Sequence, residues 1–402
     1  MKKTLRKITT VIINVVIILI ITGLLLFFLD WVASFWVTKP TSNLIEHPRL
    51  NHAWRPNYKN TFPGHGKNYP NSYTHYYNKQ GWIAKYDIAL KKPKDTYRIF
   101  YVGDSFTEGV MPMEQSVPSI VQQVLNDKFS NKGINFEVIN TGTSSYGNVI
   151  YYILIRYFIT QYHPDVVVIN VDMTDSYDDW VYKHNTIFDK NGDPWAVPPL
   201  LLHERLFIDT PDGLVKANFN NTLKLFLFKN SNLYNLYIKL FKEKKYTNKA
   251  NLEKYFKKEI KDNPVVFNRF SWCTYEWDQN ILDSVMFSHS ILVKIGEYCK
   301  QNNIKLVLTG VPHWEQFTFN NQEKPKWSLR PFSVIKDAAE RTGAFYLDSY
   351  SPLLPLLKDT PQNMFYYEND MHFNPKGNAL WAIIHAEMFI DPKNKLLPEK
   401  AY

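Results

Sequence analysis

Two short segments hold the residue types that acyl chemistry needs. The first, YRIFYVGDSFTEG, is an apolar, β-rich run that ends at Gly103 and presents Ser105 two positions later. A serine hydroxyl is a weak nucleophile at its free pKa, so it needs a neighbouring base and hydrogen-bond donors for the developing oxyanion. The second, ENDMHFNPKGNALWAIIHAEMF, sets Asp370 and His372 just ahead of a helix start, with Asn374 as N-cap and Pro375 as the first helical residue. An imidazole whose other nitrogen is held by a carboxylate is what a Ser-His-Asp arrangement requires. Taken singly, Gly-Asp-Ser is a common loop tripeptide, and Asp370 and His372 could be loop-stabilising polar groups. Their conjunction is what points to chemistry.

Three further sets of residues compete for a role. His313 follows an apolar run, but the sequence sets no carboxylate beside it, so it ranks below His372 as base. Glu368 is an alternative to Asp370 as the orienting carboxylate. Asp172, Asp175, Asp178 and Asp179 form an acidic group without the glycine and terminal glutamate of an EF-hand loop, so no metal is expected there, and no cofactor elsewhere.

The elements that must position these residues alternate in type. YRIFYV leads to the helical pattern in SVPSIVQQVLNDKF, INFEVIN to VIYYILIRYFITQY, and PDVVVINV to DMTDSYDD, while IKLVLTGV precedes PHWEQF and AFYLDS follows a helical stretch. Strands apolar throughout and interleaved with helices imply a parallel sheet covered on both faces, with function at the carboxyl ends of its strands. Ser105 after the first strand and Asp370 and His372 after the last both fall on that edge. From about 176 to 278 the alternation breaks, which reads as an insertion. Within it, Leu233, Leu236, Tyr237, Leu240 and Phe241 fall at helical spacing and predict an amphipathic helix packed on the main domain, or a lid.

This combination resembles the SGNH hydrolase superfamily, also called the GDSL family, from about Gly81 to Ala386. Gly103 to Ser105 matches its first block, NTGTSSYG at Asn140 to Gly147 its second, DMTD at Asp172 to Asp175 its third and DMH at Asp370 to His372 its last. The resemblance implies an α/β fold, a flavodoxin-like three-layer α/β/α sandwich, and metal-free hydrolysis or transfer of acyl groups. It makes Ser105 the nucleophile, His372 the base and Asp370 the orienting carboxylate, with Ser105, Ser145 and Thr174 forming the oxyanion hole. Two positions depart from the family pattern: Ser145 stands where a glycine is usual and Thr174 where an asparagine is usual. A backbone N–H survives the first change; the second shortens the donor.

The 402 residues allow one large domain plus a membrane segment. Ile8 to Leu29 is uncharged and as a helix would span about 33 Å, a bilayer core. Lys2, Lys3, Arg6 and Lys7 precede it and Trp31, Phe35 and Trp36 follow, which predicts a retained single-pass anchor, N-terminus inside, with the rest outside the cytoplasmic membrane. Those four cations account for part of the +9 formal charge. Basic residues between Lys239 and Lys261 read as a solvated face, and no nucleic-acid-binding signature accompanies them. Cys273 and Cys299 could pair or remain core thiols. The expected organisation is a tail (1–7), a transmembrane helix (8–29), a stalk (30–95), a catalytic domain (96–392) and a C-terminal tail (393–402). The expected function is a serine esterase acting on acyl, chiefly O-acetyl, esters of cell-envelope glycan or lipid; the alternatives are an O-acyltransferase with the same triad, or a non-catalytic glycan-binding protein that keeps the fold.

Overall fold

The apolar runs pair into one five-stranded parallel sheet. The computed structural model describes residues 2–36, 44–66, 68–199, 209–210, 213–214, 231–241, 269–320 and 323–402. Most of the basic run between Lys239 and Lys261 lies outside them. In chain order the elements used below are α1 (Lys2–Ala33), β1 (Leu44–His47), β2 (Asn51–Trp54), β3 (Tyr58–Phe62), β4 (Tyr73–Tyr77), β5 (Thr96–Gly103), α2 (Ser105–Glu108), α3 (Val117–Lys128), β6 (Asn135–Asn140), α4 (Asn148–Leu154), β7 (Val166–Val171), α5 (Asp175–Lys183), α6 (Asn232–Phe241), α7 (Gln279–Gln301), β8 (Lys305–Gly310), α8 (Arg330–Thr342), β9 (Phe345–Leu347) and α9 (Pro375–Ile390). The chain divides into two units, 1–42 with 201–263, and 43–200 with 264–402.

In the larger unit the sheet order is β9-β8-β7-β5-β6, every neighbouring pair parallel. Counted from the sheet's own first strand this is 2-1-3-4-5, the flavodoxin-like order, in which the connection reverses direction beside the first strand and opens a crevice at the carboxyl ends. Every residue of β5 and of β7 is buried, as a sheet covered on both faces demands. Alternation along β5 separates the two faces. Tyr97 and Tyr101 reach Leu396 O (2.5 Å) and His385 Nδ1 (3.2 Å) on one side. On the other, Arg98 Nη1 donates to Tyr162 O (2.6 Å) and Phe100 meets the Trp82 ring edge-on. Helices α3 and α9 pack together as one layer; α4, α5, α7 and α8 form the other.

The segment read as a stalk contributes to this unit. Residues 44–77 form two hairpins, β1 with β2 and β3 with β4, and join the sheet-bearing body through Val197 N to Arg49 O (2.8 Å) and His52 Nε2 to Ser144 O (2.8 Å). The terminal residues read as a tail are also packed, with Leu396 and Leu397 buried. Cys273 and Cys299 are both free thiols in the core.

In the smaller unit, α1 includes the 25 residues Thr9–Ala33, long and apolar enough to cross a membrane by length and composition. Its Leu24 and Phe27 are 66% and 77% exposed, apolar surface that would be unfavourable in water. Helix α6 exists as its periodicity predicts, but the partner the structure gives it is α1. Asp30 of α1 accepts from Ser231 Oγ (2.5 Å), Asn232 Nδ2 (3.1 Å) and Leu233 N (2.9 Å), satisfying the first amides of α6 from outside the helix.

Candidate active site

Strand β5 ends at Gly103 because a side chain there would strike Thr107 of the returning turn. Asp104 then caps α2, its carboxylate accepting from Phe106 N (2.9 Å), and Ser105 opens the helix at the edge of the sheet. On the far side of the crevice, Asn374 caps α9 as its sequence predicts, accepting from Lys376 N (2.9 Å) and Gly377 N (3.1 Å). That cap fixes the loop carrying Asp370 and His372.

The structure brings these loops together. His372 Nε2 lies 2.7 Å from Ser105 Oγ, across 267 sequence positions, and His372 Nδ1 lies 2.6 Å from Asp370 Oδ1. Asp370 also accepts from the backbone N–H of His372 at 3.0 Å, so the carboxylate holds both ring and main chain. With Asp370 on Nδ1–H, Nε2 is left as an acceptor facing the serine hydroxyl. Burial pushes the Asp370 carboxyl upward, yet the hydrogen bond and charge of His372 outweigh it and bring it down to about 2. Glu368, the alternative carboxylate, is exposed, and Asp370 occupies the position.

The three expected oxyanion donors fare differently. The backbone N–H groups of Ser105 and Ser145 have no acceptor among the described residues. Ser145 adopts φ +64, the left-handed region where a glycine is unstrained. Thr174 is a correction: its Oγ1 (2.6 Å) and its N (2.9 Å) both donate to Asp172 Oδ2, so neither donor is free for substrate.

Two arrangements were missed in the sequence. Asp172 Oδ1 lies 2.6 Å from His313 Nε2, both side chains wholly buried, so the end of the neighbouring strand supplies the carboxylate that the sequence around His313 does not. Val171 and Gly310 are register partners on β7 and β8; aligning the two strand ends would have set the pair side by side. The Phe106 ring separates this pair from the first, 5.1 Å from His313 and 4.7 Å from His372. Second, Glu108 accepts from both Ser144 N (3.0 Å) and Ser144 Oγ (2.7 Å).

The acidic group also rearranges. Asp178 pairs with Arg269 (3.1 Å), and Asp179 accepts from Ser288 Oγ (2.6 Å), Val149 N (2.8 Å) and Asn148 Nδ2 (2.9 Å). Asp104, Asp172 and Asp175 instead form the tight cluster, each offering an oxygen within 4.8 Å of the others. Burial, with repulsion from neighbouring carboxylates, holds Asp104 and Asp175 well above the usual range. Asp172 feels the same burial, but His313 and Thr174 lower it.

No family profile matches the chain, and no curated protein matches it. Solved structures do. The acetylxylan esterase Axe2 of Geobacillus stearothermophilus is 12% identical with a TM-score of 0.39, covering 76% of this chain and 95% of its own. LAE5, an α/β hydrolase from the metagenome of Lake Arreo, is 11% identical with a TM-score of 0.40, covering 73% and 94%. A candidate GDSL-like lipase from Parabacteroides merdae is 14% identical with a TM-score of 0.40, covering 77% and 100%.

Proposed function

We propose that the chain is a serine-dependent esterase anchored in the cytoplasmic membrane, with its larger unit outside. Ser105 Oγ attacks an ester carbonyl as His372 Nε2 takes its proton; Asp370 holds the imidazolium that forms. The tetrahedral oxyanion is met by the N–H groups of Ser105 and Ser145. Collapse breaks the bond to the alcohol, which leaves with the proton from His372, and water resolves the acyl-enzyme by the reverse relay. The observation carrying this reading is the unbroken relay of 2.7 and 2.6 Å among Ser105, His372 and Asp370.

A polar substrate such as an O-acetylated glycan fits the cavity beside the relay. Asp370 lines a cavity of about 240 Å³ together with His65, Asn68, Tyr69, Asn363 and Tyr367, aromatic faces rimmed by amides. Envelope glycan is the polymer that an outward-facing anchored enzyme meets. The test is fluorophosphonate labelling and aryl acetate hydrolysis by the full chain in detergent. Labelling at Ser105, lost in Ser105→Ala together with hydrolysis, is expected; a wild-type chain that neither labels nor hydrolyses overturns the reading.

Thr174 favours one rival. With its donors committed to Asp172, one member of the family's usual oxyanion set is missing, as in a glycan-binding protein that retains the fold without turnover. Ser105→Ala separates the two, since a binding protein keeps its cellular role and an esterase loses it. An O-acyltransferase shares the acyl-enzyme step and is distinguished by whether a sugar hydroxyl or water accepts the acetyl group.

A further inference from the structure

We infer that Glu108 is a positioning residue that locks the oxyanion loop to the nucleophile's own helix, so that Ser105 and the Ser145 N–H keep one fixed geometry. The inference rests on the esterase reading above and deepens it.

Glu108 ends α2, three residues after Ser105, and its side chain is buried. Its Oε2 accepts from Ser144 N (3.0 Å) and Ser144 Oγ (2.7 Å), while Asn140 Nδ2 donates to its backbone carbonyl (3.3 Å). The contact is close on the main chain as well: a side chain at Gly142 would strike the backbone of Thr107 and Glu108. From outside, His52 Nε2 donates to Ser144 O (2.8 Å) and Tyr182 OH to Ser145 O (2.6 Å). Every polar atom of Ser144, and the carbonyl of Ser145, is therefore engaged. The Ser145 N–H points to no acceptor among the described residues.

The arrangement solves a specific physical problem. An oxyanion donor is effective only when its nitrogen lies about 2.7 to 3.1 Å from the oxyanion, and a misplacement of about 1 Å costs on the order of 100-fold. Ser145 stands in a left-handed conformation that is costly for a residue with a Cβ. Two hydrogen bonds from Ser144 to one buried carboxyl oxygen hold it in place. Burial itself raises Glu108 to about 7, and the Ser144 bonds oppose that rise.

The experiment compares Glu108→Ala, Glu108→Gln and Ser144→Ala with wild type, all as full chains in detergent. On an aryl acetate, Glu108→Ala should lose on the order of 100-fold in kcat with KM within about twofold, because the lost interaction acts on the transition state. Glu108→Gln keeps an acceptor for Ser144 and should recover kcat to within about tenfold of wild type. Ser144→Ala removes one of the two donors and should fall between them, which keeps the inference open to test should Glu108→Ala not fold. Amide exchange over 141–147 reads the lock without activity: it should quicken in Glu108→Ala and stay near wild type in Glu108→Gln. Unchanged exchange overturns the lock. So does a folded Glu108→Ala with wild-type kcat, or a loss confined to KM. Quickened exchange in a chain whose wild type hydrolyses nothing would sink the esterase reading and leave the lock standing.

Discussion

If Ser145 serves the site through its backbone N–H, its side chain is dispensable and its main chain is not. Its φ of +64 imposes a cost of about 1 to 2 kcal/mol on a residue with a Cβ. Ser145→Gly should therefore keep kcat/KM within about threefold, since the N–H survives and the turn relaxes; a loss beyond about 100-fold would assign the function to the hydroxyl instead. Asp370 behaves oppositely. Asp370→Asn keeps the size but removes the charge that selects the Nδ1–H tautomer of His372, and kcat should fall by up to about 10⁴-fold with KM little changed. Thr174→Val tests the correction made above. If Thr174 serves only Asp172, the variant should lose stability, by about 1 to 3 kcal/mol from the one lost buried hydroxyl bond, and keep kcat in the fraction that folds.

At the scale of elements, five buried acids dominate the pH response of the larger unit. Burial raises Glu108 to about 7, Asp178 to about 7 and Asp179 to about 6, and lifts Asp104 and Asp175 further. A carboxyl whose folded pKa lies above its unfolded value contributes stability that is full below the unfolded value and is lost as pH rises through the folded one. Asp370, brought down to about 2, acts in the opposite sense, but only below its ordinary value near 3.8. His47 and His385, lowered by burial to about 4 and about 3, oppose these acids below about pH 6.5, so urea midpoints should fall as pH rises from about 6.5 to 8, where the acids act alone. A midpoint higher at pH 8 would mean these acids are ionised and compensated in the fold. The elements themselves were largely legible. Strands uniformly apolar along their length, such as β7, can only sit in a sheet covered on both sides, and the Asn374–Pro375 cap marked α9 to the residue. What stayed hidden depends on lateral pairing. Asp172 meets His313, and Glu108 meets Ser144, through strand and loop neighbours that periodicity along a single chain does not encode. In 44–77 some strand content is legible but its packing on the sheet-bearing body is not, because the half-exposed strands show weak apolar alternation.

For the whole molecule, the anchor and the insertion are joined in one unit although about 200 positions separate Asp30 from Ser231. The full chain should sediment with membranes and resist carbonate washing; recovery in the wash would remove α1 as an anchor. Asp30→Ala should weaken α6 by about 0.5 to 2 kcal/mol, the usual worth of a helix cap, read as faster amide exchange at Leu233. If α1 spans a membrane, a protease cutting after it would do more than free the larger unit. It would strip α6 of the neighbour that packs against it and leave its leading amides bare, so the shed product would carry a sticky, unravelling end.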